Sequence, residues 1–113
     1  MEENMGIKIG VGNQVIVCSI NKDIEMEEMD DKGYFYINSS GKIVIMNSTS
    51  FWIWKYIIGR AESSDNIYIN FEEIENSMLE CFEFSVDDVK NLDYDIYNAI
   101  INFIREDFLL VEE

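Results

Sequence analysis

Met46-Asn47-Ser48-Thr49-Ser50-Phe51-Trp52-Ile53-Trp54-Lys55-Tyr56-Ile57-Ile58-Gly59 is the stretch on which the fold turns. It joins the end of a strand to a helix dense in aromatic residues. Asn47 or Ser48 can cap that helix, because a short polar side chain accepts a bond from the free N–H groups of the first turn. Phe51 to Ile58 supply more apolar surface than one face of a short helix needs. Trp54 is expected in the core, wedged between this helix and a sheet. Gly59 reads as a left-handed stop. Upstream the chain reads as strands, and downstream mostly as helices.

Working back from Met46, Lys42 to Met46 and Tyr34 to Asn38 are β-prone runs joined by the tight turn Ser39-Ser40-Gly41. They predict a hairpin. Ile24 to Glu28 is a weaker strand, separated from the hairpin by the turn Asp30-Asp31-Lys32-Gly33. Ile7 to Val11 and Val15 to Ile20 are short β-prone runs about the turn Gly12-Asn13. Residues 1–12 can also be read as a loose arm.

Working forward, Ala61 to Asn66 is a polar loop and Ile67-Tyr68-Ile69 a short extended run. Asn70 caps a second helix from Phe71 to Phe82, with Glu72 and Glu73 placed for its dipole. Phe84 to Lys90 reads as a connector with room for one helical turn. The third helix is predicted over Asp93 to Glu106, and Phe108 to Val111 is an apolar strand or tail. On a helical wheel, Leu92, Tyr94, Ile96, Tyr97, Ala99, Ile100, Ile101, Phe103 and Ile104 fill an arc of roughly 220°. A helix that covers a core from one side needs a stripe little over ~100° wide. The third helix is therefore either sandwiched inside the domain or the wall of a groove that a partner fills.

Composition excludes several classes of function. The chain has 113 residues, 48% of them hydrophobic, and a net charge of −15. That is one globular domain, and the charge argues against nucleic acid, whose phosphates need Lys and Arg. No apolar run approaches the ~20 residues of a membrane span, and no secretory signal is visible, which points to the cytoplasm. The two cysteines, Cys18 and Cys81, form no metal spacing and read as reduced, buried thiols. There is no histidine, no Gly-rich phosphate loop and no clustered ligand set, so no catalytic residue, metal or cofactor is expected. Residues 1–60 carry eight acids and six bases, whereas residues 61–113 carry fifteen acids and two bases. No acid lies between Asp31 and Glu62, yet Lys32, Lys42, Lys55 and Arg60 do. This window reads either as ordinary surface or as a basic region facing an acidic ligand.

In order and spacing, Met46-Asn47, Thr49, Ile53-Trp54 and Gly59 resemble the LN-x-T-x-x-x-IW-x-x-x-x-G pattern of PqqD-like proteins, the small peptide-binding domains also called RiPP recognition elements. Asn70 to Phe82 is similar to the family's capped second helix. Asp95-Ile96, Ala99-Ile100, Phe103 and Phe108-Leu109 resemble its DV-x-x-FL-x-x-L-x-x-x-GLL ending, with Asp107 where Gly is usual. The match spans Ile24 to Val111 and leaves residues 1–23 outside, as an extra N-terminal strand or arm before a domain at 24–113.

The resemblance implies an α+β, winged helix-turn-helix fold, an antiparallel three-stranded sheet packed on three helices. It implies no enzymatic activity. The implied role is that of a stand-alone chaperone that binds the leader of a ribosomally made precursor peptide. The chaperone presents that peptide to a modifying enzyme such as a radical SAM maturase or a lasso-type leader peptidase. The leader is expected to add as a strand beside Lys42, Ile43, Val44, Ile45 and Met46, against Ile96, Ala99, Ile100 and Phe103 of the third helix, with Lys42 and Arg105 pairing leader acids. The alternative is an acidic interaction module or inhibitor that occupies a basic surface on a partner.

Overall fold

A computed structural model of the chain describes residues 6–63 and 67–112. The elements run β1 (Gly6–Val11), β2 (Gln14–Ile20), β3 (Ile24–Met29), β4 (Lys32–Ile37), β5 (Lys42–Met46), α1 (Ser48–Ser63), β6 (Ile67–Asn70), α2 (Phe71–Cys81), α3 (Val86–Arg105) and β7 (Leu109–Val111). They form an α+β fold with three helices and two sheets. One sheet is antiparallel, in the order β3-β4-β5; the other has the order β6-β1-β2-β7. The turns follow the local chemistry. Asp30 and Asp31 both adopt left-handed backbone, at φ 52° and 64°, between β3 and β4. Two such residues in a row match the twist of the flanking strands. The β4–β5 hairpin expected from sequence is present in register, with Tyr34 opposite Ile45 and Tyr36 opposite Ile43.

The second sheet was not foreseen as a sheet. The described part of the N-terminal segment is no loose arm, since β1 and β2 form its two central strands. β1 pairs in parallel with β6, Ile7 opposite Ile67, and β2 pairs antiparallel with β7, Ile20 opposite Leu109. Ile7, Ile9, Cys18 and Ile20 sit in the same continuous core as the helices. Cys18 is buried there, and burial with the nearby Glu112 pushes its thiol up to about 11, so it stays protonated. Cys81, expected buried, is exposed on the last turn of α2. Residues 1–5 of the expected arm and 64–66 of the expected loop lie outside the described residues.

Two helix boundaries differ from expectation, the end of α1 and the start of α3. Asn47 caps α1, accepting from the Ser50 N–H at 2.9 Å. The helix runs past Gly59 to Ser63, so Gly59 is an exposed interior residue and not the stop. α3 begins at Val86, seven residues earlier than Asp93, because Ser85 accepts from the Asp88 N–H at 3.2 Å and Asp87 and Asp88 fill the first turn. At its far end Asp107 takes the left-handed φ of 64°, and the Phe108 N–H reaches the Phe103 carbonyl at 2.8 Å. An aspartate thus does the work of the expected glycine, as its short polar side chain permits.

The core is centred on aromatic rings. Phe35 of β4 lies edge-on to Phe51 and Trp54 of α1 and to Phe108, with centroids 5.9, 6.3 and 4.9 Å apart. Trp54 also meets Phe103 of α3 at 5.2 Å. Gly33 sits under this group. A Cβ there would fall 2.6 Å from both the Phe35 and Phe51 rings, each buried and unable to swing away. Gly33→Ala is therefore expected to destabilise the fold by about 1–3 kcal/mol, the range for overpacking. The readout is a lower urea midpoint at unchanged slope; an unshifted midpoint would mean that the rings have room to move.

Candidate functional site

Among the described residues four strands lie at sheet edges, and three of them are defended. β6 and β7 are four and three residues long. β3 reads Ile-Glu-Met-Glu-Glu-Met and puts three carboxylates along its edge. β5 reads Lys-Ile-Val-Ile-Met, with β4 on one side and no strand on the other among the described residues. Short length and charge are the usual defences against unwanted strand pairing. β5 has neither beyond Lys42. Ile43 and Ile45 are 70% and 61% exposed on its outer face, beside Tyr34 and Tyr36 of β4. Val44 and Met46 turn inward, the latter buried.

The expected partner surface on α3 is corrected by burial. Ile96, Ala99, Ile100 and Phe103 are at most 3% exposed and are core residues. The wide apolar arc is explained mainly by packing. Its surplus, Tyr94 and Tyr97, lies on the flank turned toward α2, where Tyr97 meets Phe71 at 6.3 Å. The flank that faces α1 and β5 is different. Asp88 and Asp95 line a cleft with Trp52 of α1, and Glu106 just past the helix end is ion-paired with Lys42. That flank is polar and acidic. Arg105 is exposed in the last turn, about 100° round from Glu106.

Three of the four cations of the basic window are likewise neutralised from outside it. Lys42 pairs with Glu106, and Lys55 pairs with Glu28 at 3.3 Å while lying over the Phe51 ring. Arg60 donates to Glu73 at 2.5 Å, and the Tyr56 hydroxyl donates to the same carboxylate at 2.7 Å. Burial pushes the Glu73 carboxyl up, but the Arg60 and Tyr56 bonds outweigh it and hold it below its usual range. This group ties α1 to α2 and is structural. A basic face turned toward an acidic ligand is not what these cations form, because a linear sequence gap says nothing about acids that the fold returns to the same place.

Two clefts flank α3. The first, about 750 Å³, lies between α2 and α3 and is lined by Phe71, Glu72, Glu75, Asp93, Tyr94 and Tyr97. Glu75 there shares a hydrogen bond with Asp93. That bond, then burial, then the charges of Asp93 and Glu72 raise its carboxyl to about 7. The folded state therefore holds this proton more tightly than the unfolded chain. The contribution of the pair to stability is whole below the ordinary value of 4.5 and is lost as pH rises through about 7. Asp93→Asn removes the hydrogen bond and the nearer charge but leaves burial and Glu72, so it is expected to lower the Glu75 carboxyl toward its ordinary value and to flatten that part of the fall in melting temperature between about pH 5 and 8. Carboxyl NMR titration with thermal melts checks both, and a Glu75 carboxyl that still titrates near neutrality in the variant would contradict the assigned cause.

The second cleft, about 680 Å³, opens where β5 runs into α1. Trp52 and Phe82 meet edge to face across it at 5.7 Å, and Trp52 stacks on Tyr56 at 5.6 Å. Asp31, Glu83, Asp88 and Asp95 stand around this floor. Sequence reading missed the cleft because its walls come from four separate segments. The one local hint was a tryptophan at 52 beyond what the inner face of the helix could bury.

No helix among the described residues is long and apolar enough to cross a membrane. No protein-family model matches the chain, and no curated protein matches it. Among solved structures the chain is similar to TbiB1, solved in complex with the TbiA(beta) leader peptide, with a TM-score of 0.60, 13% identity, and coverage of 80% of this chain and 93% of that one. At that identity the likeness is one of fold.

Proposed function

We propose that this chain binds the leader segment of a ribosomally made precursor peptide by strand addition to β5. The observation that carries the reading is the undefended edge of β5, where the other edge strands among the described residues are short or charged. Support comes from the PqqD-like motifs in the sequence and from a fold neighbour solved in complex with a leader peptide. On this reading α1–α3 and the β4–β5 hairpin form a winged helix-turn-helix. The domain does no chemistry itself and hands the precursor to a modifying enzyme, a radical SAM maturase or a leader peptidase, in the cytoplasm.

An added strand takes its affinity from backbone pairing and its specificity from alternate side chains. Leader residues on one face lie beside Ile43 and Ile45. Those on the other face lie near Val44, Met46 and the polar flank of α3, with Arg105 within reach of a leader acid. Ile96, Ala99, Ile100 and Phe103 support the groove from within. Titration of the labelled protein with a peptide from a neighbouring short reading frame is expected to shift the amides of residues 42–46. Shifts confined to residues 71–90 would sink the reading and favour an acidic surface that engages a basic partner.

A further inference from the structure

We propose that the cleft between the start of α1 and the α2–α3 corner is a second recognition site, one that takes an arginine or lysine side chain of the bound peptide. The cleft has the two parts such a side chain needs. Its floor is aromatic, with the Trp52 ring half-buried and held by Tyr56 and Phe82. A cation over an indole face is attracted by the ring quadrupole, and a long aliphatic stem packs against it. Around the floor stand Asp31, Glu83, Asp88 and Asp95, none of which is ion-paired among the described residues. The lysine that also lines the cleft, Lys55, is occupied by Glu28 and the Phe51 ring. The amino end of α1 opens here too, but Asn47 already takes the Ser50 N–H, which weakens its pull on an anion.

Position ties the cleft to the β5 edge. β5 ends at Met46, and Ser48 and Thr49 are on the cleft rim. The cleft therefore lies at the Met46 end of β5, within a few residues of a strand laid along it, while the other end of β5 carries the closed Lys42–Glu106 pair. The side chain recognised in this cleft is thus cationic, whereas the leader acids expected from sequence belong near Lys42 and Arg105. The leader reading supplies only the identity of the peptide that carries this side chain; the cleft stands without it.

The probe is acetyl-glycyl-arginyl-glycine amide, compared with the same peptide carrying neutral citrulline. Shifts are expected at the Trp52 indole N–H and at the amides of Asp88 and Asp95 with arginine, and not with citrulline. Asp88→Asn with Asp95→Asn should weaken binding by roughly tenfold. Glu25→Gln with Glu27→Gln, an equal charge change on the outer face of β3, should leave it within about twofold. Trp52→Leu should weaken it with the carboxylates intact. Equal binding of citrulline, an equal loss in the β3 variant, or a silent Trp52 would each overturn the proposal. A leader that shifts residues 42–46 while Trp52 stays silent to the arginine peptide removes the cleft and leaves the leader reading standing. A Trp52 response to arginine with a silent β5 does the opposite.

Discussion

Trp54→Ala is expected to cost about 3–5 kcal/mol, the usual range for truncating a buried aromatic residue. The side chain is 5% exposed and touches three rings from three different parts of the chain: Phe35 of β4, Phe103 of α3, and Phe108 before β7. Removing it opens a void where a sheet and two helices meet, and these elements cannot all collapse inward at once. Against a total stability on the order of 5–15 kcal/mol, the variant should sit close to unfolding at room temperature. Chemical denaturation followed by circular dichroism measures this directly. A midpoint shift equivalent to less than about 1 kcal/mol would mean that the indole is not the keystone of this core.

Proline scanning of β5 is expected to separate folding from binding. Successive N–H groups along a strand point to opposite sides. Of Val44 and Ile45, one therefore donates toward β4 and the other toward the free edge. Proline at the first position breaks the hairpin and should be visible in circular dichroism. Proline at the second leaves the hairpin intact, removes an edge donor and sets its ring against the incoming strand. That variant should stay folded yet bind leader about tenfold more weakly or worse, since one net hydrogen bond is worth ~0.5–1.5 kcal/mol and 1.4 kcal/mol is tenfold. Alanine at the same two positions should change affinity little. If the folded proline variant bound like the parent, strand addition at β5 would be wrong even with leader affinity confirmed.

What could be read in advance was what neighbouring residues decide. The β4–β5 hairpin, the Asn70 cap with its bond to the Glu73 N–H at 2.8 Å, and the aromatic character of α1 all follow from a few consecutive residues. Gly59 misled because a glycine that would end an isolated helix is tolerated inside one anchored by Ile57 and Ala61 on its buried face. The start of α3 was missed because Val86 and Val89 are exposed and carry no inward period; only the Ser85 cap marks it. The second sheet was beyond local reading, since its pairings join residues 6–11 to 67–70 and 14–20 to 109–111. The same holds for the candidate site. The β5 edge was legible from Lys-Ile-Val-Ile-Met. The acids that neutralise Lys42 and Arg60, and those that ring Trp52, come from other parts of the chain.

The wiring of that second sheet also sets an order of events on the ribosome. The three-stranded sheet pairs near neighbours and can form as soon as residue 46 has emerged. β1 and β2 can pair with each other earlier still, but the outer sides of this hairpin stay bare until β6 and then β7 are synthesised. At ordinary elongation speeds the side of β2 waits on the order of 5–20 s. During that interval Cys18, Ser19 and Ile20, the residues that β7 will pair, form an open β-edge on a nascent chain, where pairing with a second copy competes with waiting for the native partner.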